Sequence, residues 1–324
     1  MRTYRGKTRL FLPAAALLYA SAGWANPSLN PIFPNFSLVP LGSISGIPPG
    51  YQYGGLGFNG SNLLLSGGDP TVPGFQAIYT VPVDRTNGEI TGFGTASLYA
   101  TVKAATSPSI YGDSLAGGLT FAPNGTLLYT TNSQNNIGQY SPSATTSSVT
   151  SVGGIPLGSI GYLPNGQLVL TALQTPVGHW YPVTLSNPDG NGIYQVNVGA
   201  AFSGVDAPAD SFAVFAAGLT PSVTATSVLV GDSAVGALKI YGLDGNGHPT
   251  GTGTVFVSDP QYPIGSGLMA DPGHSGNYLF TRLNPDTNVN EIWSIEVDTP
   301  EASTVWMATG AIVLFWLIRQ RRDA

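Results

Sequence analysis

Three residues of this chain can be written as a nucleophilic triad: Ser114 in the string "GDSL" at 112–115, with Asp271 and His274 in "DPGH" at 271–274. A serine becomes a nucleophile when a histidine takes its proton and a carboxylate holds that histidine in place. Two further strings could face a cation, "DGNG" at 189–192 and again at 244–247. A calcium loop needs spaced acidic ligands and a closing glutamate, and neither string is followed by them. His179 and His248 have no partner at metal-ligand spacing. The chain has no cysteine, which excludes thiolate nucleophiles, thiolate metal sites and disulfides.

The elements that must carry these residues decide between such readings. A glycine, alternating apolar residues, a turn and a second strand recur five times, as "GGLGFNGSNLLLS" from Gly54, "GGLTFAPNGTLLYT" from Gly117, "GSIGYLPNGQLVLT" from Gly158, "AGLTPSVTATSVLV" from Ala217 and "GSGLMADPGHSGNYLFT" from Gly265. Aligned on Leu56, Leu119, Ile160, Leu219 and Leu268, the repeats are 63, 41, 59 and 49 residues apart. That is the period of propeller blades, with insertions in two of them. The second repeat shows four strands, "GGLTFAP", "TLLYTTNS", "NIGQYSP" and "SSVTSVGG", joined by turn residues.

These repeats predict an all-β fold, a β-propeller with five blades favoured over six. A β-sandwich and an irregular solenoid are the alternatives. The fifth repeat lacks a fourth strand, and residues 36–44, "FSLVPLGSI", have strand character, so they are expected to close the ring on the last blade. Residues 26–35 precede that strand and are expected to contribute little. No window before Thr299 has helical spacing of good helix formers.

On this frame the chemical readings weaken. The "GDSL" and "DPGH" strings resemble the nucleophile block and the Asp-x-x-His pattern of the GDSL hydrolases, but that family implies an α/β fold. In this chain residues 271–274 occupy the repeat position of the ordinary turn at 122–125. No catalytic residue is assigned. The two "DGNG" strings fall where hairpin turns are expected. The blade rhythm is similar to NHL-type and lactonase-like propellers, and the latter resemblance implies a divalent metal in the central channel. Asp113, Asn132, Asp232 and Asn284 could converge there, whereas Glu89, Glu291, Glu296 and Glu301 all lie outside the first strand of a repeat. A metal-dependent hydrolase is therefore the alternative to a non-enzymatic binding or structural module, for which neither metal nor cofactor is expected.

The two ends carry addresses. Residues 1–25 combine Arg2, Arg5, Lys7 and Arg9 with a short apolar core and small residues after it, the pattern of a cleaved secretory signal. At the other end, residues 305–318 run without a charge, and Arg319, Arg321 and Arg322 follow them. Such a stretch predicts one membrane helix with its arginines in the cytoplasm and the body outside. The order Pro300, Glu301, Ala302, apolar stretch, arginine cluster resembles the PEP-CTERM sorting signal, with Ala302 where that family usually carries proline. The resemblance covers residues 299–324. It implies an exosortase-type processing enzyme as partner, transient residence in the inner membrane, and delivery to the cell surface or extracellular matrix, where polysaccharide is a candidate partner. Between the two ends, residues 26–298 hold four basic side chains against fifteen acidic ones, a net charge of −11, which leaves no basic surface for nucleic acid.

Overall fold

The repeated alternation of apolar and small residues folds as strands that pair in fours. The computed structural model describes residues 26–68, 76–102, 115–131, 135–173, 178–205, 209–284 and 289–298; the expected signal (1–25) and sorting tail (299–324) lie outside the described residues. After β1 (Ser28–Leu29) and β2 (Phe36–Gly42), the first blade contains β3 (Gln52–Asn59), β4 (Asn62–Gly68), β5 (Gln76–Val81), an inserted hairpin of β6 (Val83–Thr86) and β7 (Glu89–Phe93), and β8 (Ser97–Thr101). The second is β9 (Leu115–Phe121), β10 (Leu127–Thr131), β11 (Asn136–Ser141) and β12 (Thr146–Ser151). The third is β13 (Leu157–Tyr162), β14 (Leu168–Ala172), β15 (Gly178–Ser186) and β17 (Ser203–Val205), with β16 (Gln195–Val198) paired to the end of β15. The fourth is β18 (Ser211–Phe215), β19 (Ser227–Asp232), β20 (Ala237–Leu243) and β21 (Pro249–Ser258). The fifth is β22 (Ile264–Ala270), β23 (Tyr278–Asn284) and β24 (Val289–Val297).

The innermost strands touch in a closed circuit, β3 to β9, β9 to β13, β13 to β18, β18 to β22 and β22 back to β3. The described residues thus form a five-bladed propeller, and they contain no helix. As expected, the N-terminal strand completes the fifth blade: β2 runs antiparallel to β24, with Phe36 opposite Val297 and Leu38 opposite Ile295. It ends at Gly42, two residues short of the expected limit, where a φ of 83° turns the chain out of the strand.

Two expectations are corrected. In the fourth blade the inner strand is β18, so Phe212, opposite Val230, takes the place expected of Leu219, which lies in the following turn. Residues 26–35 are not peripheral. β1 pairs with β21 as a fifth strand of blade four, and Phe33, 2% exposed, meets Phe256 edge to face at 4.9 Å. Phe36, Phe215, Phe256 and Tyr278 pack in the same cluster, so the seam between blades four and five is filled largely by aromatic rings.

A hydroxyl in the second strand of four blades marks where the inner strand bulges. Register shifts interrupt the inner pair at Tyr53/Leu56, Tyr129/Thr131, Leu157/Ile160 and Ile264/Leu268. A bulge leaves peptide groups out of the ladder, and a nearby hydroxyl can satisfy them. Ser66 donates to Gly55 O at 3.2 Å, Thr171 accepts from Ser159 N at 2.6 Å and Thr281 accepts from Gly267 N at 2.7 Å. Thr130 donates across the seam to Gly158 O at 2.6 Å. Blade four carries Gly231 at this position, and its inner pair has no register shift.

Candidate functional site

The bulged inner strands bring glycines together at the axis. A Cβ built on Gly117 would fall inside the carbonyl oxygen of Asp210 and within 2.7 Å of Ser266 O. Gly54 stands in the same relation to Leu115 O, Gly158 to Ala209 O and Gly267 to Gly54 O. Backbone meets backbone here, a distance that only glycine permits. The axis is therefore closed by peptide groups at this level.

Below that floor the inner strands diverge toward their turns and leave a bowl of about 340 Å³. Its walls include Leu56 and Phe58, Leu119 and Phe121, Ile160 and Tyr162, Phe212 and Val214, and Leu268 and Met269. Each blade contributes through its inner strand, whose last residues alternate toward the neighbouring blades. Among the described residues no charged side chain lines the bowl; Thr120, Ser159 and Tyr162 supply its hydroxyls. Ser159 already donates to Gly117 O at 3.2 Å, and burial raises the Tyr162 phenol, so it stays protonated at neutral pH. Such a surface favours a neutral ligand with an apolar face, because a charge placed there would lose water and gain no partner.

The turns around this bowl hold the residues that first suggested chemistry, and each is occupied structurally. Asp271 and His274 sit in the turn between β22 and β23. Arg85, on the inserted hairpin of blade one, donates to Asp271 through Nη1 at 2.8 Å and through Nη2 as well, and His274 Nε2 meets Glu89 at 3.1 Å. Asn277 donates to the same Glu89. Ser114 lies outside the described residues, and the carboxylate the triad needs is held by a guanidinium instead.

Both "DGNG" strings are turns. Asp189 Oδ1 accepts from the amides of Asn191 and Ile193, and Asp244 Oδ1 from those of Asn246 and His248. Each turn also clasps the preceding blade: Asn124 Nδ2 donates to Gly192 O and Asn165 Nδ2 to Asn246 O, both at 2.8 Å. The contacts of Arg85 and Glu89 with residues 271–277 are the same clasp made between blades one and five. Sequence reasoning placed these turns correctly but saw neither the clasp nor the bowl. One signal was present, the aromatic residue closing three inner strands at Phe58, Phe121 and Tyr162.

Of the residues that could have shared a metal, Asp113 and Asn132 lie outside the described residues, and the side chain of Asn284 is not among those described. Asp232 is 1% exposed and pairs with Lys239 at 3.4 Å, which neutralises it. Among the described residues no group of three His, Asp or Glu side chains could hold a metal ion. His179 lies in β15 with its ring 6.4 Å from Tyr181, and His248 stacks on Phe202 at 3.8 Å with Nε2 against Gln167. Arg282 is 4% exposed, bridges Asp259 and Glu291 at 2.7 and 3.1 Å, and covers the Tyr262 ring.

Asp210 enters the axis from the opposite face. The residue keeps some contact with solvent, but desolvation pushes its carboxyl up to about 6, against the Ser233 amide that donates to Oδ2 at 2.7 Å; the neighbouring Asp232 adds to the rise. Because the folded value lies above the unfolded 3.8, the folded chain holds an extra proton between the two, and stability falls as pH rises through that window. Asp210→Asn is expected to remove this pH dependence and to raise stability at pH 7 by on the order of 2 kcal/mol, since one pKa unit is worth about 1.4 kcal/mol. Urea unfolding at pH 4.0 and pH 7.0 checks it: unchanged pH dependence in the variant rules Asp210 out as its source.

No family model matches the chain, and neither does any curated protein. Solved structures are similar at low identity. A gluconolactonase from Xanthomonas campestris is 11% identical over 82% of this chain and 91% of its own, with a TM-score of 0.43. The PQQ-bound aldose sugar dehydrogenase of Streptomyces coelicolor is 12% identical over 84% and 100%, at 0.42. A catalytically inactive virginiamycin B lyase from Staphylococcus aureus, solved with quinupristin, is 13% identical over 82% and 76%, at 0.36.

Proposed function

We propose that this chain is an exported, non-enzymatic binding module that takes a neutral small ligand in the bowl of its propeller. The observation that carries this reading is an uncharged, aromatic-walled recess closed at its base by backbone. The hydrolytic alternative would need an acid, a base or a metal ligand in the recess, and its described lining offers only hydroxyls. The ends complete the proposal: residues 1–25 direct export, and residues 299–324 hold the body at the inner membrane until an exosortase-type enzyme acts near Pro300 and Glu301. From there the module reaches the cell surface or matrix, where a saccharide could present an apolar ring face to the bowl.

Ala270 is exposed at the end of β22 and lines the bowl, so Ala270→Trp fills the recess from its rim without entering the core. Thermal-shift screening of the full-length protein in detergent is expected to find neutral ring-bearing ligands that stabilise it and charged analogues that do not. The variant should keep its melting temperature and lose at least tenfold in affinity. Equal binding by the variant would move the site elsewhere, and a stoichiometric divalent ion with ester or lactone turnover would favour the hydrolase. For the tail, mass spectrometry of envelope protein from the native host should find peptides ending near Glu301. An intact "IRQRRDA" peptide from surface material would leave a simple membrane anchor.

A further inference from the structure

The last strand leaves the propeller on the side where the bowl opens. Tyr278 pairs both with Ala270, at the rim, and with Ile295, so β24 passes rim level as it ends. Asn277, the last residue of the rim turn, accepts from Val297 N at 2.9 Å, and Asp298 N donates to Asn35 O at 2.8 Å. Only residues 299–304 then separate the folded body from the uncharged stretch that begins at Val305. Six residues span at most about 20 Å when fully extended. That is shorter than the nine-residue strand β24, about 30 Å at roughly 3.3 Å per residue, which a tether would have to retrace to reach the opposite face. A body held this closely cannot turn its opposite face to the surface that holds the tail.

We infer that the bowl-bearing face is the membrane-facing side of the anchored protein, and that its partner is a zwitterionic bilayer toward which the bowl opens. The inference rests on residues 305–318 crossing the membrane, as proposed above. The lipid class follows from charge. Residues 26–298 have only four basic side chains, so anionic headgroups would repel the body. The described lining of the recess is uncharged and walled by Phe58, Phe121, Tyr162 and Met269, while the exposed carboxylates of Asp189 and Asp244 in the turns around it add to the repulsion of anionic headgroups, so an uncharged lipid surface is the one this face suits.

The absence of cysteine makes the test direct, because single cysteines can be introduced and labelled one at a time. Ser61→Cys and Ser222→Cys, both exposed, lie in rim turns of blades one and four; Gly154→Cys and Val235→Cys, also exposed, lie on the opposite face. The labelled full-length proteins are reconstituted into phosphatidylcholine vesicles containing a lipid with a quencher on its headgroup. Labels at 61 and 222 are expected to be quenched at least threefold more than those at 154 and 235. Equal quenching, or the reverse order, in protein that floats with the vesicles overturns the orientation and leaves the anchor standing. Failure to float overturns the anchor reading and this inference with it.

Discussion

Deletion of Phe36–Gly42 is expected to unfold the propeller, not merely trim it. The segment is the fourth strand of blade five and pairs along β24 from Val297 to Ile292. Its loss opens a sheet edge and removes Phe36, 5% exposed, from rings 6.1 and 5.0 Å away on Phe215 and Phe256. One such aromatic truncation costs about 3 to 5 kcal/mol. With the lost strand pairing the total reaches at least about 5 kcal/mol, which is comparable with the whole stability of many domains. Removal of residues 26–35 should cost less, about 3 kcal/mol, through Phe33 and the β1 pairing. Urea denaturation followed by near-ultraviolet dichroism orders the two deletions. If both melt like the parent, β2 does not close the ring.

The second large effect is expected at a single atom. Gly117→Ala places a methyl group inside the space of the Asp210 carbonyl, with Ser266 O also within 2.7 Å. Side chains can rotate away from an added carbon, but here the obstacle is backbone from two other blades. Relief requires the inner strands to separate, and each is fixed by its own blade. The expected cost is at least about 4 kcal/mol, in the range reserved for identifiable core lesions. Gly154→Ala is the control, since nothing lies within 4 Å of its Cβ position and its φ is not positive. It should stay within about 0.5 kcal/mol of the parent. A Gly117 variant as stable as this control would show that the axis is looser than these close approaches imply.

Much of this architecture was legible because strand pairing repeats a local pattern. The hydroxyl that follows the apolar run, as in "LLLS", "LLYT", "LVLT" and "YLFT", marks the same bulge in four blades. The fourth blade was misframed by about seven residues, with Leu219 expected where Phe212 stands. Its first turn spans residues 216–226, long enough to carry a glycine and leucine of its own at Gly218 and Leu219. Phe33 was missed because a two-residue strand has no readable period, and its burial depends on Phe256, in a strand far along the chain. The bowl was illegible for a related reason: its walls come from five strands, and only their convergence distinguishes Phe58 or Phe121 from any other half-buried aromatic. The clasps at Gly192 and Asn246 involve backbone carbonyls, which every residue has, so no residue type announces them.

The pairing of β2 with β24 also sets an order in time. A chain made from its N-terminus exposes Phe36–Gly42 before any blade exists, and that strand has no partner until Val289–Val297 has been made. Blades one to four can collapse locally in the meantime, but the stack they form has two open ends. Contacts between distant parts of a chain form slowly, and unpaired edges invite association with other chains. The waiting strand carries its own protection, a proline at position 40 and few consecutive large apolar residues. Thr299 follows the last strand almost at once, so the growing chain completes its ring just before it presents its tail.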